Sequence, residues 1–194
     1  YGASQNDDLK VVYKRIETGA ELEKLKGSKY VQAFGGGIFG KVERDLSNRK
    51  QVLFSGTPCL IDALLKYLEI KKCNCEKLTT CDIVCHGVPA PGIYEEYIQL
   101  LKNRYRGNVK KFTFRDKKFG WRRNVSTYRV KTRNMVSSNY VNIYESQCCL
   151  REICYECPYA SLNRVGDLTV GDYWGIEKIH PEWDDNTGIS FFYL

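Results

Sequence analysis

Between residues 51 and 105, short apolar runs of strand length alternate with longer stretches whose apolar residues recur at helical spacing. Residues 51–54 read as a buried strand, after which Leu60, Ile61, Leu64, Leu65 and Leu68 share one helix face. Residues 81–85 read as a second strand, and Pro91 opens a helix with Tyr94, Tyr97, Ile98, Leu101 and Tyr105 on one stripe. Such alternation implies a parallel sheet covered by helices. Upstream, residues 11–13 and 30–34 read as strands. Thr18 and Glu21 form a capping box for a helix through Leu25 closed by Gly27, and Gly35-Gly36-Gly37 leads into a helix over 38–46. Beyond Lys110 the pattern changes, and residues 112–114, 125–130 and 140–143 read as strands joined by polar turns. Residues 168–170 and 189–193 read as late strands. The expected fold is α/β: a mostly parallel sheet flanked by helices, with an antiparallel extension and a cysteine-rich loop in the C-terminal half.

With 194 residues, 43% of them hydrophobic and 27% charged, the chain has material for a buried core and is not of disordered composition. It reads as a single domain over 1–194, with an α/β part over 1–108 and a β-rich extension over 109–194. No apolar run approaches the roughly 20 residues of a membrane span. A start at Tyr1 without a leader pattern, and a strand-like stop at Phe191-Phe192-Tyr193-Leu194, read as a portion of a longer protein.

Nine cysteines, an odd number without a leader, read as reduced thiols of a cytoplasmic protein rather than a disulfide framework. Cys154-Tyr155-Glu156-Cys157 is a C-x-x-C followed by Pro158, a spacing that sets two thiolates on one turn. Taken alone, it leaves metal binding open against a redox dithiol or a chance spacing. Thr57 is a natural N-cap with Pro58 at the first helical position, which places Cys59 in the first turn, where the helix dipole favours a ligand or nucleophile thiolate. Cys85 falls at the carboxyl end of its strand; if the two strands are neighbours, both cysteines project from one rim, where ligands of α/β sheets gather. For each by itself, a buried thiol acting as a small hydrophobe is as good a reading.

Gly35-Gly36-Gly37-Ile38-Phe39-Gly40 spells G-x-G-x-x-G, but the acidic residue a dinucleotide site needs about 20 positions on is replaced by Ser55-Gly56-Thr57. A flexible helix entry is the better reading. His86 reads as a zinc ligand, a proton donor or a structural histidine; with His180 the only other, no hydrolytic triad is supported. The net charge of +7 is uneven: residues 102–133 hold 13 Lys/Arg against the single Asp116, a net of +12, interleaved with Tyr105, Phe112, Phe114, Phe119, Trp121 and Tyr128. This strip suits single-stranded nucleic acid or a phosphate-bearing flavin, or it is a solvated face that protects a sheet edge.

Five segments in order carry a family resemblance. They are Gly56-Thr57-Pro58-Cys59; the run from Cys81 through Cys85-His86-Gly87 to Pro89; Phe114-Arg115-Asp116-Lys117 with Gly120-Trp121; Leu150-Arg151 ahead of Cys154 and Cys157; and Gly171-Asp172-Tyr173-Trp174-Gly175. Together they resemble the C-terminal region of the coenzyme F420 hydrogenase/dehydrogenase beta-subunit family, iron–sulfur flavoproteins. Gly27 to Gln32 and Tyr1-Gly2-Ala3 extend the resemblance. It implies Cys59, Cys85, Cys154 and Cys157 as ligands of one [4Fe–4S] cluster. It also implies Ser28, Lys29, Gly56 and Thr57 as contacts of a flavin (FAD), and Arg115, Lys117 and Arg164 as contacts of its phosphates or of an anionic substrate such as coenzyme F420. Cys73, Cys75, Cys81, Cys148 and Cys149 are left over, although the vicinal pair offers an alternative ligand. The chain departs from the family pattern at Leu60, where glutamine is usual, and at Glu152-Ile153, where proline and serine are usual. The implied function is electron transfer by an oxidoreductase. Its partners would be an N-terminal ferredoxin-like part of the same protein and a soluble redox partner. The readings from other classes are a zinc-stabilised nucleic-acid-binding module and a non-catalytic partner protein in polysaccharide biosynthesis.

Overall fold

The computed structural model describes residues 1–194. β1 (Gly2–Gln5) and β2 (Val11–Lys14) form an antiparallel ribbon. α1 (Ile38–Ser47) leads to β3 (Val52–Gly56), α2 (Pro58–Ile70), β4 (Leu78–Ile83) and α3 (Pro91–Tyr105). An antiparallel sheet follows, made of β5 (Val109–Thr113), β6 (Ser126–Val130) and β7 (Arg133–Ser137) in that spatial order. After α4 (Asn139–Glu145) and the single turn α5 (Glu152–Tyr155), the chain returns through β8 (Leu168–Asp172) and β9 (Ser190–Tyr193).

The main sheet has the order β3-β4-β8-β9. β3, β4 and β8 are parallel, with Gly56 beside Asp82 and Ile83 beside Val170, whereas β9 is antiparallel to β8. The expected mostly parallel sheet is therefore one mixed sheet with three parallel strands, accompanied by two separate antiparallel sheets. Tyr1 lies along β3, its backbone N donating to Leu53 O at 2.7 Å and its carbonyl accepting from Ser55 N at 3.0 Å.

Two apolar cores hold these layers. One joins α1, α2 and β3 through Ile38, Val42, Phe54, Ile61, Leu64 and Leu68. The other joins β2, α3, β5, β6 and α4 around Tyr94, Phe112, Phe114, Tyr128 and Tyr140. α3 thus shares its core with the antiparallel sheet. Burial on this scale is the main stabilising term of such a fold.

Three local expectations change. Residues 140–143 are helical, because fully buried Tyr140 and its i+4 neighbour Tyr144 point one way, a spacing that a four-residue window does not separate from a strand. The third strand of the small sheet is β7 instead. Residues 30–34 contribute one bridge, Phe34 with Val12, and Phe34 is exposed. The glycine run after it therefore leaves a ribbon rather than a strand of the parallel sheet. Thr18 and Glu21 do meet, the Thr18 hydroxyl donating to Glu21 at 3.4 Å and Glu17 N donating to the same carboxylate at 3.2 Å, but they open a six-residue 3-10 turn (Gly19–Lys24).

Candidate functional site at the carboxyl edge of the parallel strands

β3 and β4 are neighbours, so the segments that follow them open on one rim. Thr57 takes the extended backbone of an N-cap, Pro58 occupies the first helical position, and Cys59 stands in the first turn of α2. The Thr57 hydroxyl turns to the Cys59 sulfur at 3.3 Å rather than to a backbone amide. Two residues past β4, the Cys85 sulfur accepts from Gly87 N at 3.4 Å.

The Cys154/Cys157 loop is delivered to this rim by three attachments. Pro89 and Leu150 form an antiparallel bridge, with Ala90 N donating to Cys149 O at 2.8 Å and Arg151 N to Val88 O at 2.9 Å. Farther along, Arg164 donates to Asp82 through Nη2 at 2.6 Å and Nε at 3.2 Å, and Gly166 N donates to the same carboxylate at 3.1 Å. Asp82 is fully buried, so this paired geometry is what makes its charge tolerable. Asp167 completes the attachment by accepting from Thr80 N at 2.7 Å and Thr80 Oγ1 at 2.8 Å. Gly87 has φ +101, and a Cβ there would stand 2.9 Å from Leu150 Cδ1 and 3.2 Å from Cys154 Cβ, so its bare backbone lets the two segments meet.

The packing brings the cysteine segments to one rim: β3 and β4 pair side by side, and the Cys154 Cβ stands 3.2 Å from a Cβ placed on Gly87. Cys85 keeps some solvent exposure, yet crowding protein atoms desolvate its thiol and push its pKa up; the charges of Cys59, Cys154 and Cys157 push it the same way. Three tyrosines each flank two of these cysteines. Burial pushes Tyr13 and Tyr144 up, with added effects from Cys59 and Cys85 on Tyr13 and from Cys85 and Cys154 on Tyr144. Tyr159 donates to Asp62 at 2.5 Å, which with burial pushes it up to about 12; Cys59 and Cys157 add to this. Tyr13 also stacks on Phe54 at 5.3 Å and lies against Gly56, where a Cβ would be 2.6 Å from its hydroxyl. The tyrosines carry no motif, since positions 13, 144 and 159 meet only through the topology.

No three His, Cys, Asp or Glu side chains are grouped for a single metal ion. A lone zinc, with bonds of about 2.3 Å, needs its ligands drawn together, whereas a [4Fe–4S] cluster takes one thiolate at each iron. All nine cysteines are free thiols. Cys73 and Cys75 pack against the α1/α2 core beyond the end of α2, away from the rim. Cys81 lies within β4, and the Cys149 thiol donates to Ile143 O at 3.5 Å beside its neighbour Cys148.

The other sequence-derived residues divide. Gly56 and Thr57 sit at the rim. Leu25, three residues before Ser28, lies near Ser55 of β3 with Gly2 between them, where a Cβ would stand 3.0 Å from Ser55 Oγ and 3.1 Å from Leu25 Cδ1. Lys29 Nζ donates to Leu25 O at 2.6 Å and Lys26 O at 2.9 Å, and burial lowers its pKa to about 8. Arg115 is buried: it donates to Asp172 at 2.8 Å and Trp121 O at 2.7 Å and lies over the stacked Trp121 and Trp174 rings. Arg164 is spent on Asp82 and on the carbonyls of Tyr159, Ser161 and Ile83. Lys117 is exposed, with Nζ 4.9 Å from the centre of the Trp121 ring.

Residues 49–193 match the family described as the C terminus of the coenzyme F420 hydrogenase/dehydrogenase beta subunit. The chain belongs to this family. Its rim cysteines, the Asp82–Arg164 pair and all strands from β3 to β9 lie within the matched region, and β1, β2 and α1 precede it. The family name is that of an oxidoreductase component. Among curated proteins no match is found. No helix is long and apolar enough to cross a membrane.

Proposed function

We propose that this member of the F420 hydrogenase/dehydrogenase beta-subunit family is an electron-transfer domain in which Cys59, Cys85, Cys154 and Cys157 hold one [4Fe–4S] cluster beside a flavin. The single observation that carries this is that the segments bearing Cys59 and Cys85 follow neighbouring parallel strands, with the Cys154 loop packed against Gly87 at the same rim. Two of the four sulfurs already have hydrogen-bonding neighbours, Gly87 N donating to Cys85 and the Thr57 hydroxyl beside Cys59, the kind of contact that tunes cluster potential. When bound, the cluster supplies one-electron steps and the flavin, FAD in this reading, converts them to two-electron chemistry.

The protein's part is positional. The Asp82–Arg164 pair and the Pro89–Leu150 bridge hold the cysteine loop at the rim. Tyr13, Tyr144 and Tyr159 line the neighbourhood of the sulfurs. Gly56 and Thr57, with Ser28 and Lys29, form the flavin side, and exposed Lys117 remains the anion contact. Arg115 and Arg164 act as positioning residues, because Asp172 and Trp121 O take the two terminal nitrogens of Arg115, and Asp82 with three carbonyls takes the fork of Arg164. The family name supports coenzyme F420 as the small redox substrate. Free thiols suit a reducing, cytoplasmic setting, with a ferredoxin-like part as electron partner.

Anaerobic reconstitution with ferrous iron and sulfide tests the assignment. Broad brown absorbance is expected in the parent chain and in Cys73→Ser and Cys75→Ser, and its loss in Cys59→Ser, Cys85→Ser and Cys157→Ser. A chain that takes up no iron, or that takes up zinc alone in stable form, overturns it.

A further inference from the structure

Lys110 on β5 and Arg129 on β6 stand directly opposite each other on the outer face of the antiparallel sheet, both exposed. Like charges in that relation destabilise a strand pair. Neither has a carboxylate partner, and Lys111, exposed in the bulge beside them at φ +57, adds a third cation. The deficit extends along the strip. Of its 13 cations only Arg115 and Arg122 form ion pairs, with Asp172 and Asp184, and its one acid, Asp116, is occupied by Thr127 and the Lys118 amide. Lys131 and Arg133, at the β6–β7 turn, line a groove of about 400 Å³ with Tyr105, Val130, Thr132 and Met135.

Edge protection does not account for this arrangement, because Arg129 lies on the central strand, where no edge needs blunting. Nucleic acid fits poorly as well. The aromatic residues that alternate with the cations along the strands, Phe112, Phe114 and Tyr128, are at most 5% exposed and face inward, so the strand face carries no stacking platform and Tyr105 is the one ring at the groove. We propose that this face and its groove form a docking surface for the carboxylate-rich surface of a partner protein, which supplies the counter-charges the chain omits.

The surface is separate from the cysteine rim. The groove lies at the C-terminal end of α3, whereas Ala90, at its start, is bonded to Cys149. Fifteen helical residues span about 22 Å. The partner therefore docks at a distance from the sulfurs, and the proposal stands or falls independently of the cluster.

The test uses the whole chain with labelled poly-L-glutamate and labelled oligothymidine as probes, read by anisotropy at several salt concentrations. Lys110→Glu with Arg129→Glu, and separately Lys131→Glu with Arg133→Glu, are expected to weaken polyglutamate binding by about tenfold or more. Lys41→Glu with Lys71→Glu, which changes net charge equally elsewhere, is expected to change it less than about twofold. Lys110→Glu alone should raise the urea midpoint, by placing opposite charges across the strands, while weakening binding; Lys110→Gln with Arg129→Gln repeats the loss of binding without reversing charge. A control pair as damaging as the surface pairs, surface variants with unchanged binding, or oligothymidine bound more tightly than polyglutamate would each overturn the proposal.

Discussion

Arg164 Nη2 stands 2.6 Å from Asp82 Oδ1, and Asp82 has no solvent exposure. The pair ties the loop after Cys157 to the strand before Cys85. Removing the guanidinium leaves a buried carboxylate with one remaining backbone donor, Gly166 N. Arg164→Ala is therefore expected to lower unfolding free energy by about 3–5 kcal/mol in urea titrations. Asp82→Asn should restore part of this in the double variant, because it removes the stranded charge. Full stability in Arg164→Ala would show that the pair does not hold the loop.

Gly87→Ala probes the closest approach of the two cysteine segments. The added methyl meets Leu150 at 2.9 Å and Cys154 Cβ at 3.2 Å, at a backbone conformation with φ +101. Strain and overpacking together are expected to cost about 2–4 kcal/mol. The same displacement should make iron loss to a chelator faster than in the parent, whereas Gly92→Ala, where a Cβ meets nothing within 4 Å, should change neither quantity.

The rim was legible wherever local pattern decided it. Phe54 and Leu64 mark a buried strand and a helix stripe, and Thr57-Pro58 marks the helix start, so Cys59 could be placed from neighbouring residues alone. Arg164 could not be placed in this way, because its partner is 82 positions away and a basic residue carries no sign of which acid it will meet. Arg115 shows a related limit. It belongs to a cationic strip, but the chain turns it under Trp121, where Asp172 and Trp121 O take Nη1 and Nη2 and Nε is left without a partner. The alternation of Lys110 and Lys111 with Phe112 held its information in the pleat: on a strand, neighbours face opposite ways, so cations and aromatics that mingle in sequence separate onto two faces. Helix α4 escaped because its apolar stripe, buried Tyr140 and Val141 with half-buried Tyr144, is barely one turn long.

Asp45 gives an acid-side prediction. Arg15 donates to it at 2.6 Å and the Tyr1 hydroxyl at 2.6 Å, which hold its pKa at about 2, below the ordinary 3.8. A depressed carboxylate stabilises the fold fully above its unfolded pKa and loses that contribution as pH falls through the folded value. Asp45→Asn is thus expected to be less stable than the parent by about 2 kcal/mol at neutral pH. The gap should close between about pH 4 and pH 2 in thermal melts. A gap independent of pH would mean that packing, not the ion pair, is what the substitution removes.

Lys29 gives the opposite sign on the alkaline side. Burial lowers its pKa to about 8 from 10.5, so between those values the unfolded chain binds the proton that the folded chain has released. Stability contributed by this group therefore rises with pH through that window. Lys29→Met removes the titration and should flatten the rise, a difference read from urea midpoints taken between about pH 7.5 and pH 9.5, below the range where unfolded tyrosines ionise. The same low pKa makes the Lys29 amine a better nucleophile than its neighbours at pH 8, provided it leaves the Leu25 and Lys26 carbonyls. Limited acetylation followed by mass spectrometry should therefore mark Lys29 slowly in the folded chain and quickly in urea, whereas Lys26, exposed on the same turn, should react at similar rates in both. Equal labelling of Lys29 in the folded and unfolded chain would show that its amine is not held by those carbonyls, and that this lysine does not fix the loop.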